Sequence, residues 1–405
     1  MRWRSKAIIT PVLMVSILYA SGARSQSVFG LNYLGEHCIR GDSRSRALGY
    51  SALAVPDTSS VFTMNPATLA ELGGISFSIS EIMDMSSIKY GDVIADQNRF
   101  QMPSVMLAVP VGYGLVIGSG YITRFKGRND FAFNGESLPD YPTPQEIYKH
   151  RSSIFSVPLT ASWKRWKWFS IAGELQLERG SITDEVNITF NDDSFDDAVS
   201  TRKRNFTGTS WAASVLANPF SRLYLGGFFD DRIDYSVEEY FEYSRDHLDS
   251  ASTWDFELPS AYGLGVAIGL TERWWLSSTY WSRRAPDRTG FEQLENSIGD
   301  ERLIAFGIER RGGIDGGFFS RIPIRLGFYE NVWHLEYPSG KPVRSLFATL
   351  GTGFSMPSGP GSLDISVELG RIGSLDENGI EETVLRLGLS MNMSERWTRR
   401  RREEH

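Results

Sequence analysis

Residues 361–370 read Gly-Ser-Leu-Asp-Ile-Ser-Val-Glu-Leu-Gly, and residues 385–393 read Leu-Arg-Leu-Gly-Leu-Ser-Met-Asn-Met. In the first run Leu363, Ile365, Val367 and Leu369 alternate with Asp364, Ser366, Glu368 and Gly370. In the second, Leu385, Leu387, Leu389, Met391 and Met393 alternate with Arg386, Gly388, Ser390 and Asn392. Successive strand side chains point to opposite faces, so one face is wholly apolar and the other carries Asp, Glu and Arg. A soluble sandwich shares that period, but its polar face looks at bulk water and its strands are usually shorter. Strands of about nine to eleven residues, apolar outside and charged inside, match the height of a bilayer's hydrocarbon layer.

Working outward, similar segments recur at 74–90, 99–111, 113–125, 153–165, 167–179, 204–218, 222–235, 258–270, 273–284, 301–311, 321–332, 343–355, 361–373 and 381–393. The expectation is therefore an all-β protein, a transmembrane antiparallel β-barrel of about fourteen strands spanning 74–393. Connections alternate short and long. Gly112, Trp166 and 218–221 are short; 126–152, 180–203, 236–257 and 285–300 are long. Outer-membrane barrels have short periplasmic turns and long external loops, which fixes the expected orientation. Trp163, Trp166 and Trp168 surround one short turn, interleaved with Lys164, Arg165 and Lys167, and Trp274 and Trp275 follow another. They are read as a girdle at the headgroup level.

Arg2, Arg4 and Lys6 precede an apolar segment, Ala7–Ala20, followed by Ser21, Gly22, Ala23 and Ser25, so residues 1–25 read as an export signal. Beyond it no run reaches the length of a membrane helix, and only a barrel would span. Cys38 is the sole cysteine and cannot form an intrachain disulfide; it is read as a bystander thiol. No linker divides the mature chain, aromatics make up 13%, and the net charge of −7 argues against nucleic acid as a partner. The expected location is the outer membrane of a Gram-negative-type envelope, among lipid and lipopolysaccharide. Insertion there requires the barrel-assembly machinery, and a monomer is expected. Residues 394–405 form a charged periplasmic tail.

Residues 26–73 do not fit the ladder of strands. Small residues dominate 45–54, Asp57 is placed to cap a short turn, and Pro66 forces Asn65 away from helical geometry ahead of Ala67. Small side chains let backbone pack closely, which suits a segment threaded inside a barrel. Arg46, Ala47 and Gly49, then Ala52 and Ala54, Asp57, the triplet Asn65-Pro66-Ala67, and Leu69 with Ala70 together resemble the hatch of the FadL/toluene-channel family of outer-membrane transporters. That resemblance implies a fourteen-stranded barrel plugged by an N-terminal hatch at 26–73. It also implies passive uptake of hydrophobic compounds, long-chain fatty acids or hydrocarbons. An external-loop groove from 180–203 and 236–257 would admit ligand, and movement at Asn65, Pro66 and Ala67 would release it sideways. The chain departs from the family at Ser51, at Pro56-Asp57 and in its C-terminal extension.

Enzymatic chemistry is not expected. The histidines, His37, His150, His247, His334 and His405, show neither metal-ligand nor triad spacing, and Gly41-Asp42-Ser43 lacks the strand and partner histidine of an esterase. No cofactor or metal is expected: the acidic residues of 191–197 are read as a solvated loop, and Asp376, Asn378, Gly379 and Glu381 as an external hairpin. Tyr240, Phe241, Tyr243 and Trp254 sit among acidic residues, a mixture suited to an amphipathic ligand, although packing within the loop accounts for them equally well. Glu309, Arg325, Asp364, Glu368 and Arg386 face the lumen with both signs. They are read as wall ion pairs holding the plug ahead of direct ligand contact. The rival functions are a structural or shuttle component of a protein-secretion system and a general diffusion porin.

Overall fold

The protein is described here by a computed structural model covering residues 27–30, 34–58, 60–61, 64–134, 143–191, 195–243, 250–286, 299–313, 317–337, 340–355 and 361–395. The signal segment, most of the C-terminal tail and Asp192 and Asp193 lie outside the described residues. The barrel strands are β1 Ile75–Tyr90, β2 Val93–Gly112, β3 Leu115–Asn134, β4 Gln145–Trp166, β5 Phe169–Thr189 and β6 Ala198–Phe220. Next come β7, in two pieces, Leu223–Asp230 and Ile233–Tyr243, and β8, likewise Ser250–Leu258 and Ala261–Gly269. The circuit continues with β9 Trp274–Arg283, β10 Glu301–Arg310, β11 Ile324–Tyr337, β12 Lys341–Ser355, β13 Gly361–Ser374 and β14 Ile380–Glu395. Each strand runs antiparallel to its neighbours, and β14 pairs with β1 from Ile380 opposite Tyr90 to Glu395 opposite Ile75. The fourteen-stranded barrel is closed.

Burial follows the alternation that announced the fold. On β14, Val384, Arg386, Ser390 and Asn392 are buried inside, while Leu387 and Met393 are exposed outside. Outward positions of other strands, such as Leu159, Ile171, Leu175, Trp211, Val215, Leu264 and Leu350, continue the apolar belt. Leu387→Arg is therefore expected to cost about 2–4 kcal/mol, as for a cation placed near the midplane of a barrel's lipid face. Ser390 is no neutral comparison, because its hydroxyl accepts from the Ser43 amide of the hatch at 2.8 Å. The comparison is Ser236→Arg, outward on β7 above the belt, expected to be nearly neutral; equal loss of stability in lipid-vesicle unfolding would put the belt in the wrong place.

The long connections of 126–152, 180–203 and 236–257 prove to be mostly strand. β4, β5 and β6 run 22, 21 and 23 residues, twice what a bilayer needs, and extend as a wall beyond the belt. The described strands leave residues 135–144, 190–197 and 244–249 between them. β7 and β8 both break at one level, at Asp231-Arg232 and Pro259-Ser260; below it their outward residues are apolar, and above it they include exposed Asp234, Glu238, Asp255 and Glu257. Proline without an N–H suits such a break.

A second irregularity opens the wall. β2 pairs with β3 only over Ser104–Gly112, although β2 pairs with β1 up to Val93 and β3 with β4 up to Asn134. The split begins at Pro103, beside a bulge where the β1–β2 register shifts between Ser80 and Ile82. Inside the split, the free edge of β3 is taken by the two-residue hatch strand Glu36–His37, which pairs with Lys126 and Phe125.

Candidate functional site: the lumen and its hatch

The hatch winds through the lumen as short turns. Asp42 caps the helix Ser43–Ala47, its Oδ1 accepting from the Ser45 amide at 2.9 Å. Gly49 and Tyr50 then take positive φ values of 61° and 62° to reverse the chain, and the 3₁₀ turn Ala52–Ala54 follows. Asn65 is extended at φ −122°, as the following proline dictates. Its Oδ1 accepts from the Ala67 amide at 3.0 Å, and its amide donates to Leu53 O at 3.0 Å and Val215 O at 2.9 Å, tying the hatch to β6. Pro66 starts the 3₁₀ helix Pro66–Glu71, where a fixed φ and a missing N–H cost nothing. The Ala67 carbonyl accepts from Ser162 and Ser170 of the wall at 3.2 and 3.0 Å.

Charge holds the hatch on its other side. Arg46 Nη1 lies 3.2 Å from Glu368, whose second oxygen accepts from Tyr329 at 2.8 Å. Arg44 grips Glu309 at 3.1 and 2.9 Å and Asp57 at 2.9 Å, and Arg325 joins Glu309 at 2.9 Å to Asp364 at 2.6 Å. Arg386 pairs with Glu36 of the hatch and with Asp84 of β1 at 3.2 Å. The structure thus brings hatch residues Arg46 and Asp57 and the lumen residues Glu309, Arg325, Asp364, Glu368 and Arg386 into networks that join hatch and wall. Burial, with Asp57 and Asp364 nearby, raises the Asp42 carboxyl to about 6, and burial pushes the Cys38 thiol up to about 12, where it is unreactive.

The alternating pattern concealed a third set of hatch contacts, the wall glycines. Gly307 and Gly327 face each other across β10 and β11, as do Gly226 and Gly265 across β7 and β8. A Cβ at Gly327 would overlap the Leu48 carbonyl carbon and the Gly49 nitrogen; at Gly226 it would stand 2.6 Å from Leu53 O. The glycines make a trough in which hatch backbone lies against strand backbone. A signal existed in the sequence, glycine at inward positions of otherwise well-filled strands.

Between hatch and wall a cavity of about 60 Å³ remains, lined by Leu53 and Met64 of the hatch and by Trp281, Arg124, Glu174 and Asp230 of the wall. A dry cavity of about 150 Å³ is what admits benzene elsewhere, so this one does not hold a hydrocarbon with the hatch in place. Arg124 reaches the lumen because a bulge at Thr123/Phe125 inserts it as an extra residue, and it pairs with Glu178 at 3.1 Å and Asp230 at 3.0 Å.

At the far mouth the expected aromatic group divides. Phe241, Tyr243 and Trp254 share the inward parity of buried Val237, whereas Tyr240 points outward and donates to Glu238 at 3.1 Å. Phe241 and Tyr243 rings lie 4.8 Å apart, and Trp254 donates to Glu239 at 3.2 Å while packing on the buried cluster that includes Phe256 and Tyr235. They belong to a β-hairpin rather than a loop groove. Among the Trp pairs near the short turns, Trp275 faces inward, its ring 4.1 Å beneath the Arg311 guanidinium. Lys164 leaves the girdle reading too, pairing with Glu71 of the hatch at 2.5 Å.

Solved structures that share this architecture include a FadL homologue and toluene transporters. A Pseudomonas aeruginosa FadL homologue superposes with a TM-score of 0.65 at 12% identity, over 90% of this chain and 100% of that one. The Ralstonia pickettii toluene transporter TbuX gives 0.57 at 13% identity over 91% and 100%, and the Pseudomonas putida toluene transporter TodX 0.55 at 12% over 89% and 98%. A family model described as BamG matches residues 231–404. Comparison with curated protein sequences finds no match. The class these features define is the closed fourteen-stranded antiparallel β-barrel with a segment threaded through its lumen. More particularly, the chain has the fold of the FadL homologue and the toluene transporters.

Proposed function

We propose that the protein is an outer-membrane channel for passive uptake of hydrophobic compounds, fatty acids or hydrocarbons. The observation that carries this reading is the split between β2 and β3, stoppered from inside by Glu36 and His37. Withdrawal of that strand joins the lumen to the lipid phase at the side of the barrel. An apolar solute leaving a wet lumen for the bilayer gains about 0.8 kcal/mol per methylene, so no energy source is needed. In this scheme Phe241, Tyr243 and Trp254 line the outer mouth. The turn at Asn65, Pro66 and Ala67 is the pivot, and the hatch must shift because the cavity beneath it is too small. The solved channels with this fold named for toluene support the chemistry.

The test is uptake of a fluorescent fatty acid and of labelled toluene into vesicles containing the purified protein, against Glu36→Pro/Cys38→Pro, which removes the stopper amides that face β3, that of Cys38 donating to Arg124 O at 2.8 Å. Faster lateral release is expected from the variant. Equal rates in protein-free vesicles, wild type and variant would end the transport reading. Cysteine substitutions at Asn134 and Lys167 set the orientation, the first labelling on whole cells with an impermeant reagent and the second not.

A structural role in a secretion or assembly complex is the second reading. The density of ion pairs between hatch and wall favours it, because a plug so held suits a barrel that never opens. Copurification with other envelope proteins, without uptake, is its expected signature.

A further inference from the structure

The end of the lumen bearing the short turns holds a second cavity, of about 660 Å³, between the hatch and the ends of β10 to β13. Its wall carries Arg44, Arg311, Arg321 and Arg325 against Glu309 and Asp364. Both carboxylates are already committed, Glu309 to Arg44 and Arg325, and Asp364 to Arg325. Arg311 approaches Glu309 through Nε only at 3.5 Å, and its Nη2 is buried without a hydrogen-bond partner among the described residues. Stacking on Trp275 holds its guanidinium plane in place. Across the opening Arg321 is exposed at the end of the four-residue helix Phe318–Arg321. A Cβ at Gly312 would overlap the Arg321 carbonyl, so the glycine brings the two arginine-bearing segments together. Arg273 adds a cation beside them, its Nη2 2.6 Å from where a Cβ on Gly313 would stand.

Among the described residues the cavity carries surplus positive charge, which calls for an anion, and guanidinium groups favour carboxylate or phosphate in paired geometry. The route of approach narrows the class. β10 to β13 pair without a gap around this sector, apart from the register of the far end of β11, so no path leads in from the lipid side. A ligand arrives from the aqueous, periplasmic end, and the volume accepts a few residues of extended chain. We propose that this vestibule binds an acidic peptide segment of a periplasmic protein, with Arg311 and Arg321 taking its carboxylates. Arg44 of the hatch forms part of the same wall, so an occupied vestibule bears on the clamp that holds the plug.

The experiment titrates fluorescein-labelled hexaglutamate into full-length protein in lipid nanodiscs, with hexalysine as control. The expected result is saturable hexaglutamate binding that salt weakens, reduced about tenfold by Arg311→Gln/Arg321→Gln and less by Arg321→Gln alone. Arg321 is a surface residue of a short turn, so its variant keeps the barrel folded, which a gel-mobility shift on heating verifies. Absence of binding to the wild type, unchanged affinity in both variants, or full competition by inorganic phosphate or oleate at equal concentration would overturn the proposal, the last by assigning the site to free anions.

Discussion

Gly327→Val is expected to expel the hatch and turn a closed barrel into a conducting one. The new side chain would occupy the space of the Leu48 carbonyl carbon and the Gly49 amide, and neither can retreat. Gly49 itself lies 2.7 Å, measured from an ideal Cβ, from the Phe328 nitrogen, and its φ of +61° excludes most alternatives. Overpacking a settled interior costs about 1–3 kcal/mol where side chains can adjust. Here backbone meets backbone, and displacement of the whole segment is the cheaper outcome. The barrel strands pair with one another rather than with the hatch, so the barrel should survive, as it should on deletion of residues 27–60. Planar-bilayer conductance should rise sharply in both variants, and in Gly327→Val trypsin should gain access to Arg40, Arg44 and Arg46. Gly173→Val is the control, since a Cβ there meets nothing within 4 Å. Wild-type conductance and protease resistance in folded Gly327→Val would remove the trough from the account.

Arg46→Met carries the second large effect. Its side chain is 4% exposed and its partner Glu368 is fully buried, so removing the cation leaves a carboxylate facing only Tyr329 among its close partners. Breaking a buried pair from one side costs about 3–5 kcal/mol, whereas replacing both members by apolar groups of similar size is often neutral. Arg46→Met/Glu368→Leu should therefore be more stable than Arg46→Met alone in urea unfolding from lipid vesicles. A double variant destabilised by the sum of the singles would mean that the two residues do not act as a pair.

The barrel was legible in the sequence because lipid imposes one chemistry on every second residue, as at Leu385 to Met393. Above the belt that constraint ends. At Asp234, Glu238 and Asp255 the alternation loses its apolar half and strand reads as loop, which is why the extensions of β3 to β8 read as connections in the sequence. The hatch was legible from Asn65-Pro66-Ala67 because proline acts locally. Its partners were not, since Arg46 and Glu368 are separated by 322 residues and charge sign alone does not pair them. For Phe241 and Trp254 the sequence leaves ligand contact and packing within the loop equally open, the groove being implied by the family resemblance; the hairpin that decides which way each faces is set by register, and Tyr240 falls on the outer side.

The closing seam has a consequence for assembly. β14 is the last of the fourteen barrel strands along the chain, and it meets the hatch at three levels: Glu382 accepts from Ser27 and the Val28 amide at 3.0 and 2.7 Å, Arg386 reaches Glu36, and Ser390 accepts from the Ser43 amide. The hatch is joined directly to β1, the strand that β14 must find. The first and last barrel strands, with the hatch that precedes the first, therefore meet twice, once along the seam and once inside it. A slip of one residue would turn Glu382, Arg386 and Ser390 toward lipid and strand their hatch partners. The plug thus serves as a gauge against which the ring is closed, and a barrel that seals in the wrong register cannot seat it.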